Sequence, residues 1–175
     1  RGTVKGGGKT VIGSDNYFMA YSHVGHDCHV GNETVFTNAA TLGGHVVVED
    51  YVTMGAFSGI HQFCRIGKYA FIGGFTVITQ DVLPFCRVAG MRPTLLYGLN
   101  VVGLRRRGFS KERIAVLKEI FKIFFYSELN TTQAVERIKE QIPKGEDRDE
   151  IISFIHSSKR GIIKKAPQPW DLESE

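Results

Sequence analysis

The chain has 175 residues, 42% of them apolar and 23% charged, with a net charge of +4, which excludes an intrinsically disordered protein and favours a folded domain. No apolar run approaches the roughly 20 residues that span a bilayer, so we predict no membrane span. Three cysteines without a CxxC pair exclude a disulfide framework and indicate a reducing compartment, which we take to be the cytoplasm.

From Ile12 to Ile78, every sixth residue is large and apolar. These residues are Ile12, Phe18, Val24, Val30, Phe36, Leu42, Val48, Met54, Ile60, Ile66, Ile72 and Ile78. Four positions after each of them stands a residue that is small or β-branched, with Asn16 as the exception. Glycine often follows the large residue directly, and its tolerance of positive φ suits a sharp corner there.

Neither a helical period nor simple strand alternation produces a period of six. A solenoid does, if each hexapeptide forms one side of a triangular coil of 18 residues. The sequence therefore predicts four coils over residues 12–83, within a first domain of residues 1–83. This repeat resembles that of left-handed β-helix acyltransferases. Cys28 and Cys64 fall in the small inward column, two coils and about 10 Å apart, and are predicted to pack in the core.

The sequence predicts that the repeat ends near Pro84, because proline lacks the N–H that a continuing strand needs. Residues 84–107 are then an extended connector, residues 108–165 an α-helical domain and residues 166–175 a tail. Ser110 is the expected cap of the first helix, Asn130 with Gln133 a capping box for the second, and Asp147 the cap of a third. The predicted fold is thus mainly β, a left-handed parallel β-helix with an α-helical C-terminal domain.

Residues 18 positions apart stack in neighbouring coils, which gathers polar side chains at one corner, within about 5–10 Å. One column holds His26, Gly44 and Gln62, the next holds Asp27 and His45, and His23 and His61 adjoin them. Two chemistries remain open from the residues alone. A neutral imidazole could act as a general base oriented by Asp27. Alternatively, histidines could bind zinc, as in γ-class carbonic anhydrases on a similar helix, although Gly44 and Gln62 are poor zinc ligands.

Several motifs resemble those of the UDP-N-acetylglucosamine O-acyltransferases, the first enzymes of lipid A biosynthesis. They are His23–Cys28, Leu42–Val46, Ile60–Cys64, Gln80–Val82, Asn100 and Arg105–Ser110, together with the opening Arg1–Val4. The resemblance implies transfer of a 3-hydroxyacyl chain from acyl carrier protein to the 3-position of UDP-N-acetylglucosamine, without a metal or other cofactor. It also implies a cytoplasmic homotrimer with sites between subunits.

Carried over by these motifs, His26 is the general base, Asp27 orients and stabilises its imidazolium, and the Gly44 N–H holds the oxyanion. The implied substrate-binding residues are His23, His45, His61, Gln62, Gly74, Asn100, Arg106 and Arg107. Of these, Gly74 would keep the acyl groove open, and Asn100, Arg106 and Arg107 would contact the nucleotide. Nucleic-acid binding or simple solvation is the alternative for the arginine run, and we predict no nucleic-acid partner.

Two departures from the family pattern concern the acceptor. Val102 stands where resembling enzymes often carry an acidic residue, and those enzymes have several more N-terminal coils. We therefore expect the chain to correspond to their C-terminal two-thirds, and to fold but to be weak or inactive in acyl transfer by itself. The sequence leaves open the acyl length and whether the acceptor presents a 3-hydroxyl or a 3-amino group. Another kind of hexapeptide sugar-nucleotide acyltransferase is the alternative function. A basic helical surface with Arg113, Lys118, Lys122 and Arg137 is expected to dock acidic acyl carrier protein in a salt-sensitive manner.

Overall fold

The computed structural model describes residues 2–165, so the predicted tail at 166–175 and Arg1 lie outside the described residues. The repeat forms twelve strands of two residues each. They are β1 (Val11–Ile12), β2 (Tyr17–Phe18), β3 (His23–Val24), β4 (His29–Val30), β5 (Val35–Phe36), β6 (Thr41–Leu42), β7 (Val47–Val48), β8 (Thr53–Met54), β9 (Gly59–Ile60), β10 (Arg65–Ile66), β11 (Phe71–Ile72) and β12 (Val77–Ile78).

The strands stack into three parallel sheets, one for each side of a triangular coil. Their orders are β1-β4-β7-β10, β2-β5-β8-β11 and β3-β6-β9-β12, and we call these faces A, B and C. Every pairing within them joins residues 18 apart, such as Val24 with Leu42 and Leu42 with Ile60. The predicted coil length is therefore confirmed.

The large and small columns form the core of the solenoid. From Val30 to Ile78 the large residues are buried, and from Cys28 to Val82 so are the small ones, including Cys28 and Cys64 at 0% exposure. The first coil is open by comparison, since Ile12 and Phe18 are 47% and 37% exposed. Because side chains alternate along a strand, the first residue of each two-residue strand faces outward and is available to contact other molecules.

The corners correct one expectation of the sequence analysis. Positive φ does not fall on the glycines after the large residues. It falls two residues later, on side-chain-bearing residues such as Asp27 (57°), His45 (60°) and Tyr51 (63°). His45 and Tyr51 donate their N–H groups to carbonyls of the preceding coil, which fixes this conformation; His45 N–H, for example, donates to His26 O at 2.9 Å. The glycines are needed for close approach instead, since a Cβ on Gly25 would lie 2.7 Å from the Gly43 backbone.

Residues 84–107 contain elements that the sequence analysis did not predict. These are β13 (Cys86–Ala89), β14 (Leu95–Leu99) and helix α1 (Val101–Arg106). Strand β13 pairs in parallel with β11, and β14 pairs antiparallel with β13, which lengthens face B to six strands. The pairing joins Phe71 to Arg87, an offset that breaks the 18-residue rule and therefore leaves no periodic signal.

Three longer helices follow: α2 (Lys111–Tyr126), α3 (Thr131–Gln141) and α4 (Glu146–Ser157). The predicted caps of α2 and α3 are confirmed, since Ser110 accepts from Arg113 N–H and Asn130 forms a capping box with Gln133. The predicted cap of α4 is wrong. Gly145 caps this helix, and Asp147 lies inside its first turn, where its carboxylate accepts two hydrogen bonds from Arg113.

The C-terminal part is anchored to the last coil of the solenoid. Ile163 N–H donates to Asp81 O at 3.0 Å, and the Ser158 hydroxyl donates to the buried Asp81 carboxylate at 2.7 Å. On face A, Lys68 forms an ion pair with Glu150 of α4 at 2.9 Å. Among the described residues, no helix combines the length and apolar character needed to cross a membrane.

Candidate active site

The polar cluster predicted by stacking lies at the corner between faces C and A, which we call the C/A corner. His26 lies directly against Gly44 of the next coil, and a Cβ on Gly44 would be 2.4 Å from the His26 ring. The His45 ring stacks on Phe63 one coil further on, with centroids 4.6 Å apart, and meets the His26 ring edge-on at 5.1 Å. The fixed 18-residue register produces all of these contacts.

His26 and Asp27 form a hydrogen-bonded pair, with Nδ1 and Oδ2 2.9 Å apart. The Asp27 side chain is fully buried, whereas that of His26 is 49% exposed and open to a substrate. Burial raises the pKa of the Asp27 carboxyl. This effect is outweighed by hydrogen bonds from the Thr3 N–H, from His26 and from the Thr3 hydroxyl, and by the charge of His45, which together lower the pKa to about 2. Asp27 is therefore a carboxylate at neutral pH.

The charge state of Asp27 determines what His26 does. A carboxylate only accepts hydrogen bonds, so the proton of the pair lies on Nδ1 of His26. In a neutral imidazole the other nitrogen, Nε2, then carries a free lone pair. The arrangement orients His26 as a base, with its reactive nitrogen directed away from the buried carboxylate.

Gly44 contributes a backbone donor beside this base. Its carbonyl accepts from Phe63 N–H at 3.2 Å. Among residues 2–165, its N–H donates to no other group. Any side chain at this position would collide with the His26 ring, so glycine is required for the approach. An unpaired N–H next to a base is suited to hold a negative oxygen that develops during a reaction.

The remaining predicted residues of this corner lie around the pair at different distances from it. His45 Nε2 is 3.9 Å from the Asp27 carboxylate. The His61 ring is engaged with the backbone oxygen of Gln62 at 3.1 Å, and both residues are exposed at the next coil. His23 lies on the outer side of β3, exposed on face C. His23 and Gln62 are therefore both open to solvent.

His26, Asp27 and His45 offer ligand atoms within 4.8 Å of one another, which a metal ion could in principle use. These atoms satisfy each other instead: Oδ2 of Asp27 already accepts from His26 Nδ1 and from the Thr3 hydroxyl. The next positions in the His26 column, Gly44 and Gln62, supply no imidazole. The arrangement fits an acid–base pair better than a zinc site.

Asn100, Arg106 and Arg107 lie together elsewhere, lining a cavity of about 450 Å³ against the outer side of face B. Asn100 caps α1 by accepting from Gly103 N–H, and its amide donates to Tyr69 O at 2.9 Å. Arg107 pairs with Glu33 and lies over the Tyr51 ring at 4.9 Å. Glu33, Tyr51 and Tyr69 are 18 residues apart, at the corner between faces A and B, so this group lies one edge away from His26.

Gly74 lies at the third edge, between faces B and C. A Cβ there would be 3.3 Å from Ala56 O, and the neighbouring exposed rings of Phe57 and Phe75 stack at 5.1 Å. One subunit therefore brings the histidine cluster together but separates it from the arginine group and from Gly74.

Sequence reasoning missed two contacts of the C/A corner, both from the segment before β1. Thr3 donates to the Asp27 carboxylate, and Gly6 lies so close that a Cβ would be 2.5 Å from Asp27 Cγ. Neither belongs to the repeat, so no spacing pointed to them. The partners of Arg107, Glu33 and Tyr51, were within reach of the 18-residue rule, because both are corner residues of one column.

Comparison with known proteins identifies the architecture. Residues 81–163 match a family profile described as UDP N-acetylglucosamine O-acyltransferase, domain 2. The acyl-[acyl-carrier-protein]–UDP-N-acetylglucosamine O-acyltransferase of Alkalilimnicola ehrlichii is 46% identical over 94% of this chain and 63% of its own length. The enzyme of the same name from Anaeromyxobacter sp. strain K is 44% identical over 93% of this chain and 63% of its own length.

Over 93% of its length, the chain is similar to members of the UDP-N-acetylglucosamine O-acyltransferase family. The solved structure of the Moraxella catarrhalis enzyme of that name has a TM-score of 0.88 at 37% identity, covering 93% of this chain and 63% of that one. The Campylobacter jejuni UDP-N-acetylglucosamine acyltransferase gives 0.87 at 38%, with the same coverage. Such structures are left-handed β-helices, so the predicted fold and family are confirmed and carbonic anhydrase is not favoured. The chain spans about 63% of the length of the curated relatives it matches.

Proposed function

We propose that the chain transfers a 3-hydroxyacyl group from acyl carrier protein to the 3-hydroxyl of UDP-N-acetylglucosamine, the first step of lipid A biosynthesis. The observation that carries the proposal is the C/A corner, where a carboxylate-oriented imidazole lies against an unpaired backbone N–H. The names of the relatives indicate the substrates, and the geometry offers a base and an oxyanion donor for acyl transfer.

The proposed reaction uses three groups of the corner. Nε2 of His26 removes the proton of the sugar 3-hydroxyl as its oxygen attacks the thioester carbonyl. The carbonyl oxygen becomes an oxyanion that accepts a hydrogen bond from Gly44 N–H, while Asp27 stabilises the imidazolium. When the intermediate collapses, the C–S bond breaks, and His26 returns the proton to the departing thiolate.

The remaining predicted residues bind the two substrates in this proposal. His23, His45, His61 and Gln62 contact the acceptor sugar or line the donor site. The cavity beside α1 receives the nucleotide, where Arg106 meets a phosphate with its donor fork. Asn100 and Arg107 shape this cavity, and Val102 leaves it without the acidic contact common in the family. Gly74, between the exposed Phe57 and Phe75, leaves space for a long acyl chain.

The positions of these groups support a homotrimer. The C/A corner and the cavity beside α1 are at different edges of the prism, separated by one side of six residues, or roughly 20 Å of chain. A single subunit cannot present both to one sugar nucleotide. If neighbouring subunits pack edge to edge, the histidine cluster of one faces the arginine group of the next, which gives three equal sites.

The proposal assigns a role to each predicted domain. Residues 1–83 carry the chemistry, the connector at 84–107 binds the nucleotide, and the helical residues 108–165 dock acyl carrier protein. Arg113 contributes little to docking because Asp147 neutralises it, with N–O distances of 2.6 and 2.8 Å. Lys122 and Arg137 are exposed and remain candidates with Lys118. The buried free thiols of Cys28, Cys64 and Cys86 suit the reducing cytoplasm.

The proposal is tested by replacing the base. His26→Ala should lower kcat by about 10² to 10⁴, the usual contribution of a general base. His29→Ala is the matched control, because His29 is an exposed histidine on face A, three residues away and outside the corner. Acyl transfer is measured by mass spectrometry with a panel of acyl carrier protein thioesters.

The panel is run with the 3-hydroxyl sugar nucleotide and with its 3-amino analogue. Preference for the 3-hydroxyl acceptor, with loss only in His26→Ala, supports the proposal. Equal turnover by His26→Ala and the parent would refute the role of His26. Transfer to the amine alone would favour another hexapeptide acyltransferase.

A further inference from the structure

The segment before the first strand folds back over the C/A corner. Its turn is closed by Thr3 O, which accepts from Gly6 N–H and Gly8 N–H, both at 3.0 Å. Gly7 and Gly8 have φ of 96° and 80°, which glycine adopts without strain. The turn therefore has a defined shape that returns the chain toward Asp27.

Thr3 binds the Asp27 carboxylate with two different donors. Its N–H lies 2.9 Å from Oδ1 and 3.0 Å from Oδ2, and its hydroxyl donates to Oδ2 at 2.8 Å. Oδ2 is also the atom that pairs with His26 Nδ1. Three contacts at fixed positions define the plane of the carboxylate and leave one orientation for the imidazole. The other titratable neighbours of Asp27 are His45, at 3.9 Å, and the buried Cys28.

The same turn is packed tightly against the corner. A Cβ on Gly6 would lie 2.5 Å from Asp27 Cγ and 2.6 Å from His45 Cε1. Real Cβ atoms do not approach so closely, so the turn contacts both side chains with its bare backbone. It is a wall of the site, fixed in place by Asp27.

We propose that Thr3 is a positioning residue for catalysis, holding the Asp27 carboxylate in the one orientation that keeps the His26 proton on Nδ1 and its Nε2 free. This inference rests on the proposed function of His26 as the base. Without the hydroxyl, the carboxylate keeps only the N–H of Thr3 and can rotate, so His26 loses its fixed orientation. The loss affects the chemical step and leaves substrate contacts in place.

Three variants separate this role from a general structural one. Thr3→Val keeps the shape and the backbone N–H but removes the hydroxyl, and Thr3→Ser restores it. Thr10→Val is the matched control, because it removes a threonine hydroxyl of the same segment, one that donates to Gly25 O at 3.4 Å. Thr3 is exposed, so valine there is not expected to unfold the protein, which circular dichroism checks.

Two readouts are measured on each variant. The ionisation of Asp27 is followed by the ¹³C chemical shift of its Cγ from about pH 3 to pH 6, where the parent carboxyl is already mostly ionised and a raised pKa appears as a titration step. For each variant kcat and KM are also measured for acyl transfer. For Thr3→Val we expect the Asp27 pKa to rise from about 2 toward its ordinary value of 3.8. Loss of a hydrogen bond to a charged group should lower kcat about tenfold and leave KM within about twofold. Thr3→Ser should recover both, and Thr10→Val should match the parent.

An unchanged Asp27 pKa in Thr3→Val overturns the inference, whatever the activity. So does normal turnover by Thr3→Val in a protein whose parent is active. If neither the parent nor the variants transfer acyl groups, only the proposed function of the chain is overturned. The Asp27 titration still decides whether Thr3 holds the carboxylate.

Discussion

Asp27 combines features that an exposed aspartate does not have. It adopts φ of 57°, its carboxylate is buried, and it accepts from Thr3 and His26. A carboxyl whose pKa is lower in the folded than in the unfolded chain stabilises the fold above the unfolded pKa, and this contribution disappears as pH falls through the folded pKa. For Asp27 the contribution is complete above about pH 4 and is lost toward pH 2, from the ordinary 3.8 and the folded value of about 2.

Asp27→Asn should therefore remove part of the acid sensitivity of the fold. We expect the parent to lose stability between about pH 4 and pH 2 by a step that the variant lacks, measured by urea unfolding at a series of pH values. Asp15→Asn is the matched control, because Asp15 occupies an equivalent corner at φ 58° and is exposed. If Asp27→Asn and the parent follow one pH curve, the Asp27 contacts do not contribute to stability in acid.

At the scale of single elements, each corner places positive φ and close backbone approach on two different residues, although a single glycine often provides both. A corner needs one residue with positive φ and one position without a side chain, and here these are different residues. Ala39 has φ of 57°, whereas a Cβ on Gly55 would lie 2.4 Å from Gly74 N. The hydrogen bond from Ala39 N–H to Ala20 O, at 2.9 Å, holds the strained residue in place.

Two opposite substitutions test this division. Gly55→Ala should destabilise the fold by roughly 1–3 kcal/mol, because the new methyl overlaps backbone atoms that cannot move independently. Ala39→Gly should change stability by less than about 1 kcal/mol, since relief of the positive φ offsets the greater freedom of glycine in the unfolded chain. Thermal unfolding followed by circular dichroism compares them, and a larger loss in Ala39→Gly would contradict the argument.

At the scale of the whole molecule, the proposed shared site depends on the separation of the C/A corner from the cavity beside α1. In the proposed homotrimer, His26→Ala and Arg106→Ala should each be nearly inactive. When the two are unfolded, mixed equally and refolded, about a quarter of the sites should combine an intact His26 with an intact Arg106 from a neighbour. Recovered acyl transfer near a quarter of the parent value is the expected result.

Refolding each variant alone is the control for this experiment. Sedimentation of the parent as a monomer, or no recovery in refolded mixtures that do contain both variants, would refute sites shared between subunits.

The sequence by itself determined the solenoid, its core and the composition of the C/A corner. A period of six with three sides makes every contact between coils a contact between residues 18 apart, so Gly44 had to lie beside His26. Capping at Ser110 and Asn130 was equally readable, because a cap acts within three residues along the chain. In each of these features the interacting residues are a constant number of positions apart, so a single sequence is enough to predict them.

Only the tertiary structure decided the contacts that have no such offset. Asp147 does not cap α4 because Arg113 binds it across 34 residues, and β13 leaves the 18-residue register when it pairs with β11. Thr3 reaches Asp27 through a turn outside the repeat. Each of these depends on where two segments meet in space, which the folded chain fixes by packing and which no periodicity records.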